Sequence, residues 1–207
     1  MIRILGKASS INVRKVLWTC AELELPFERE DWGSGFRPTD APEFLALNPN
    51  AMVPVLVDGD TVLWESNTIC RYLSDRYGNG RLLPGDPVQR ARVEQWMDWQ
   101  ATELNNAWRY AFMALVRDSA AHREAVQVAA SAAQWNRHMR ILDGQLERTG
   151  AFAAGAEFSL ADIVLGLSVN RWLMTPIERP LLSAVDSYVA RLRERPAYLQ
   201  FAGNGVP

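Results

Sequence analysis

The sequence predicts an α/β unit followed by an all-helical unit, and three observations predict it. In the first 78 residues, short apolar runs alternate with segments of helical periodicity. Gly80, Pro84, Gly85 and Pro87 then punctuate a stretch without periodicity, the composition of a linker. Beyond it Gly and Pro nearly vanish until Gly144, and Ala, Gln, Glu, Arg and Trp dominate. These observations set the expected boundaries at 1–78, 79–87 and 88–207.

Ile2 to Leu5, closed by Gly6, reads as an opening strand. Val13, Val16, Leu17, Cys20 and Leu23 give one face of an amphipathic helix, with Arg14, Lys15, Thr19 and Glu22 opposite. Pro26 ends it, and Phe27 to Trp32 forms a second strand. Asp40 and Glu43 read as a capping box for a short helix to Leu47, stopped by Asn48-Pro49. Val55–Val57 and Thr61–Trp64 flank Asp58-Gly59-Asp60, a hairpin signal, and Ser66 is placed to cap a helix carrying Ile69, Tyr72 and Leu73.

In the second unit a long helix is expected around Val93, Trp96, Met97 and Gln100, another over Ala120–Leu146, and a break at Gly150–Gly155. Ser159 and Asp162 form a capping box, with Phe158 and Ile163 spaced as a hydrophobic staple, so a buried helix starts there. Pro176, Pro180 and Pro196 punctuate the remainder.

Composition narrows the function. Lys plus Arg number 22 against 24 Asp plus Glu, so no positive excess favours nucleic acid or an anionic membrane. No apolar run approaches the length of a signal core or a membrane span, and a cytoplasmic protein is expected. Cys20 and Cys70 are far apart and lack a histidine neighbour, which speaks for buried small hydrophobes and against a metal site or redox dithiol. His122 and His138 are isolated and read as surface residues.

Four features can carry chemistry. Ser9-Ser10-Ile11-Asn12 lies between a strand and a helix start, where Ser or Asn caps the helix or, beside its positive end, donates to an anion. Val53-Pro54 opens a strand, and a cis bond there would turn the Val53 backbone toward an extended peptide ligand. Glu65-Ser66 is either a solvated charge beside a cap or a recogniser of an amino-acid head group. Trp96, Trp99, Trp108, Arg109, Tyr110 and Met113 read as core, with some placed to line an apolar cleft.

These residues and their order resemble the cytosolic glutathione transferase superfamily over essentially the whole chain. The carrying segments are Ser9 to Val16, Asn48 to Leu56, Glu65 to Ile69 and Phe158 to Ile163. The resemblance implies a thioredoxin-like N-terminal domain that binds glutathione, an all-α C-terminal helical domain, and a homodimer. It implies that Pro54 is cis and that Val53 meets the cysteinyl backbone, while Glu65 and Ser66 hold the γ-glutamyl group. Asp98, on the long helix, would face the partner subunit and its glutathione.

No tyrosine follows the first strand, and Ser10 stands where cysteine-type members carry Cys. The resemblance is therefore to serine-type, theta-like or nu-like bacterial members, with Ser10 and Asn12 as thiol-activating residues and Ser9 as a third candidate. Two departures stand out. The lysine that helps hold the glycyl carboxylate is replaced by Met52 of Ala51-Met52, which moves that role to Arg37. Ile11 and Asn12 also break the Ser-Ser-Cys-Ser signature of maleylacetoacetate isomerases. The electrophile pocket would be walled by Asn105, Arg109, Tyr110 and Met113, and no metal is implied.

A thiol near pKa ~8.5 is only about 3% ionised at pH 7, and one lowered to ~6.5 is about three-quarters thiolate. The difference is roughly 2.7 kcal/mol, which one charge-assisted hydrogen bond (about 1.5–3 kcal/mol) plus a helix terminus (~0.3–1) supplies without a general base. The expected reaction is conjugation of the glutathione thiolate to a small apolar electrophile. The alternatives are glutathione-dependent disulfide or peroxide reduction, and a non-catalytic binding module of the same fold.

Overall fold

A computed structural model describes residues 1–207. Strands β1 (Ile2–Leu5), β2 (Phe27–Glu30), β3 (Val55–Asp58) and β4 (Thr61–Trp64) form one sheet in the order β2-β1-β3-β4. β1 runs parallel to β2 and antiparallel to β3, and β3 pairs antiparallel with β4. Helices α1 (Ile11–Glu22) and α3 (Ser66–Tyr77) pack together, and the short α2 (Pro42–Leu45) precedes the hairpin. Leu5, Trp32, Phe44 and Val55 form a small separate core cluster. The helical part comprises α4 (Pro87–Trp99), α5 (Asn105–Leu115), α6 (Ala125–Thr149), α7 (Leu160–Met174), α8 (Ser183–Arg193) and α9 (Pro196–Phe201), so the predicted α/β-plus-α arrangement is present.

The main core runs unbroken from β1 through α1 into α7 and α8. Because α1 has α3 on one side and α7 and α9 on the other, every residue from Val13 to Cys20 is buried. Arg14, Lys15 and Thr19, expected on an outer face, are therefore interior. Gly166 permits this contact: a Cβ there would stand 3.0 Å from the Trp18 ring and from Leu192.

Several local expectations are corrected. β2 stops at Glu30, and Trp32 makes only an isolated bridge to Arg37. Pro42 at the first turn starts α2, with Ala41 as cap and no Asp40–Glu43 box. Ser66 is already helical, and the cap position belongs to Glu65. α6 begins at Ala125, five residues after Ala120, because Asp118 at φ 46° and a Ser119–His122 turn hold the chain out of helix. α4 continues into α5 through a π-helical turn, Gln100–Leu104, which periodicity does not announce. The Ser159–Asp162 capping box is present as expected.

His138 is buried against Trp99 at 5.7 Å, contrary to its expected surface position, and its Nδ1 faces the Gln134 carbonyl at 2.8 Å. Cys20 and Cys70 are fully buried and free, as expected. Burial, and the neighbouring Cys70, push the Cys20 thiol up to about 12. Burial pushes Cys70 up to about 11 against the opposing hydroxyl of Thr19. Since thiolate is the reacting form, neither should react with an aromatic disulfide reagent at pH 8 until denaturant is added, when both should. Titration of the native protein by even one thiol would contradict that burial.

Candidate functional site

Sheet register assembles the site. Leu5 lies opposite Val55, and Val55 opposite Trp64. The residues that follow Leu5, precede Val55 and follow Trp64 therefore emerge at the same end of the sheet. That brings the Ser9–Asn12 segment, Val53-Pro54 and Glu65-Ser66 together. Gly6 fixes the approach: at φ 153°, a Cβ would come within 2.4 Å of Val13 Cγ2 and 3.1 Å of Val53 Cβ.

Ser10 occupies the N-cap position of α1 with extended backbone, and its carbonyl accepts from Arg14 N at 2.9 Å. Its side chain makes no capping bond, so the half-buried hydroxyl is free of the role that competes with ligand binding. No acidic residue lies in the first turn to offset the positive end of α1. Asn12 is half-buried within the first turn of α1, and Ser9 is exposed.

The Val53-Pro54 bond is cis. Asn48 steadies the preceding loop: its Nδ2 donates to Met52 O at 2.7 Å and its Oδ1 accepts from Asn50 N at 3.0 Å. Met52 itself is exposed. Glu65 is exposed at φ 70°, and Ser66 beside it is buried.

Arg37 stands on the other flank, beyond β2, three strand spacings or ~14 Å from the β4 end. Its guanidinium carbon sits 3.8 Å over the Trp32 ring, with Glu30 at 3.5 Å and Glu43 at 3.9 Å, so its charge is already shared with two carboxylates. Asp98 is exposed and held by Arg71 at 2.5 Å. Asn105 Oδ1 accepts from Gln100 Nε2 at 2.9 Å and Trp108 Nε1 at 3.1 Å. Arg109 is exposed, Tyr110 meets His122 edge-to-face at 4.8 Å, and Met113 packs against the core.

One residue of this region was missed. Lys15 is fully buried and donates to Asn67 Oδ1 at 3.2 Å and Gln100 Oε1 at 2.8 Å, with no carboxylate in its hydrogen-bond shell. Burial pushes its ammonium down to about 8. The alternation of α1 assigns it to solvent, and no signal within that helix reveals the helices that cover it. An open groove of about 700 Å³ lies elsewhere, between the 80–84 loop and the segment before α7, and contains none of the predicted site residues.

Residues 9–76 match the family model for the glutathione S-transferase N-terminal domain. Over 202 residues, 95% of each chain, the protein is 39% identical to glutathione S-transferase GstB of Escherichia coli K12. The chain belongs to the glutathione S-transferase family. A glutathione-bound theta-class glutathione S-transferase from Xanthomonas axonopodis pv. citri superposes with a TM-score of 0.90 at 38% identity, covering 97% of this chain and 96% of that one. Family and type are thus those expected, a theta-like bacterial glutathione S-transferase with a thioredoxin-like sheet and a helical part. The disulfide-bond oxidoreductase YfcG of E. coli K12 is also similar, 30% identical over 86% of this chain and 82% of its own.

Proposed function

We propose that this glutathione S-transferase family member conjugates the thiolate of glutathione to small electrophiles, with Ser10 as principal activator and Asn12 assisting. What supports this most is the free hydroxyl of Ser10 at the positive end of α1, at the same end of the sheet as Val53 and the start of α3. Glutathione would lie across the sheet end, its γ-glutamyl group at Glu65 and Ser66, its cysteinyl backbone at Val53-Pro54 and its glycyl carboxylate toward Arg37. In this reading residues 1–78 bind glutathione, 79–87 link, and 88–207 carry the electrophile pocket with Asn105, Arg109, Tyr110 and Met113. A cytoplasmic homodimer with a detoxifying role, Asp98 at the subunit contact, completes the proposal.

The test is transfer of glutathione to a halonitroarene against reduction of a model disulfide. Faster conjugation supports the reading. Disulfide turnover alone would favour the oxidoreductase alternative, for which the likeness to YfcG is the specific support. Turnover of neither, with glutathione still bound, would leave the binding-module alternative.

Glu65→Ala is expected to raise the glutathione KM by about tenfold with kcat changed less than about twofold, because a contact remote from the sulfur binds ground and transition states alike. Steady-state kinetics decide it, and an unchanged KM would remove Glu65 from the site. Arg37→Ala should act in the same direction but more weakly, given the carboxylates that already share its charge.

A further inference from the structure

Lys15 of α1 is 2% exposed, and its ammonium sits between the two halves of the chain. It donates to Asn67 Oδ1 at 3.2 Å, in the first turn of α3, and to Gln100 Oε1 at 2.8 Å, where the π-helical turn begins. An apolar side chain of the same length would fill that space without desolvating a charge, so filling the core does not account for a lysine there. What the ammonium adds is direction. It has donors only, so both amides must face it through oxygen, which turns their nitrogens away. Asn67 Nδ2 then donates to Met97 O of α4 at 3.0 Å, and Gln100 Nε2 donates to Asn105 Oδ1 at 2.9 Å and Ser168 Oγ at 3.0 Å.

Asn67 belongs to the turn at which the γ-glutamyl group is placed. The backbone ladder of α3 opens with Ile69 N donating to Glu65 O at 2.9 Å, so the N–H groups of Ser66, Asn67 and Thr68 come before it. The cap residue makes no side-chain bond to them and no acidic residue lies in the first turn, an arrangement that suits a carboxylate. Where those N–H groups aim depends on how the turn is held. Both ends of the Asn67 side chain are engaged by protein, one by Lys15 and one by α4, so Asn67 anchors the turn.

We infer that Lys15 is a positioning residue for glutathione: braced on Gln100, its ammonium fixes Asn67 and thereby aims the first N–H groups of α3 at the γ-glutamyl carboxylate. This rests on the placement of the γ-glutamyl group at Glu65 and Ser66. Lys15 itself touches no substrate atom, and its effect falls on glutathione affinity.

The experiment compares wild type with Lys15→Met, Asn67→Ala and the double variant, by steady-state kinetics and by calorimetric binding of S-methylglutathione. Lys15→Met should raise the glutathione KM by roughly fivefold, the scale of one weakened hydrogen bond to the ligand, with kcat at saturating glutathione changed less than about twofold. Asn67→Ala should do the same. The double variant should cost no more than either single one, because both remove one contact. A pH series adds a readout that packing does not move. Burial holds the Lys15 ammonium down to about 8, with Glu65 and Cys70 facing it from the α3 side and Arg171 from α7, and Cys70, pushed up to about 11, stays neutral in that range. The affinity advantage of wild type over Asn67→Ala for S-methylglutathione, which has no free thiol, should therefore shrink as pH rises from about 7 to about 9. A lysine that only fills the core would change the unfolding midpoint and leave KM and the pH series unmoved, and that result overturns the inference. Additive losses in the double variant overturn it as well. Should Lys15→Met fail to fold, Asn67→Ala and its pH series decide the question alone. A KM raised by Glu65→Ala but not by Lys15→Met or Asn67→Ala keeps the γ-glutamyl placement and removes Lys15 from it. A KM raised by none of the three overturns that placement and the inference with it.

Discussion

Ser10→Ala should raise the pKa of bound glutathione by about one to two units, since it removes one charge-assisted hydrogen bond of roughly 1.5–3 kcal/mol. From a thiol at ~6.5 this takes the thiolate fraction at pH 7 from about three-quarters to between roughly a quarter and 3%. Turnover limited by chemistry should fall in proportion at neutral pH and recover as pH is raised toward the new pKa. Ser10 is assigned the larger share because its hydroxyl caps nothing: a capping serine would already have its oxygen engaged by the helix. Asn12→Ala should shift the curve less, and Ser9→Ala, at an exposed position, least. Ultraviolet titration of the thiolate in the binary complex reads this for all three variants. A curve moved only by Asn12→Ala would reverse the assignment. A curve moved by none would leave activation to the helix terminus and the Val53 backbone.

The largest stability effect is expected at Asp162. Its carboxylate is fully buried and accepts four bonds: Ala153 N at 2.9 Å and Tyr188 OH at 3.1 Å on Oδ1, Ser159 N at 2.9 Å and Ser159 Oγ at 3.1 Å on Oδ2. Asp162→Ala leaves these donors buried without an acceptor, at about 1–3 kcal/mol for each that finds no substitute, so a loss of roughly 4 kcal/mol is expected. Denaturant unfolding measures it, and a loss under about 1 kcal/mol would mean that the donors find other partners. The residue also shapes the pH dependence. Burial raises its carboxyl to about 6 against the pull of the donors, above the unfolded value near ~3.9. The folded state therefore holds the proton where the unfolded chain has released it. The resulting stabilisation is complete below about pH 4, declines as pH rises, and is gone above about pH 6. The alanine variant should lack this component of the slope.

The alternation of elements, the hairpin at Asp58–Asp60 and the Ser159–Asp162 box were legible because each is encoded within a few residues. Local chemistry misled where a stronger neighbouring signal acted. Pro42 at a first helical turn displaces Asp40 from the cap, and the chain enters α3 through Glu65 at positive φ, so Ser66 is already inside the helix. The main site segments were legible as motifs, but their meeting depends on the Leu5–Val55–Trp64 register, which is a property of the sheet. The least legible feature was α1. One apolar stripe marks a helix with a single buried face, yet this helix is sandwiched, and Arg14, Lys15 and Thr19 are interior because α3, α7 and α9 enclose it. The helices that enclose α1 come from residues far along the chain, which no window around Ser10 contains.

Lys15 gives that enclosure a further consequence. Its ammonium is held by Asn67, from the sheet-bearing half, and by Gln100, from the π-helical turn of the other half. Separating the halves would leave a cation on an apolar surface with one of its two amide partners gone, while uncovering the core that Trp18 shares with α7. Neither half is complete as a folding unit by itself. The protein should lose structure in one concerted step, and a backbone cut within 79–87 would leave a nicked molecule whose pieces stay associated.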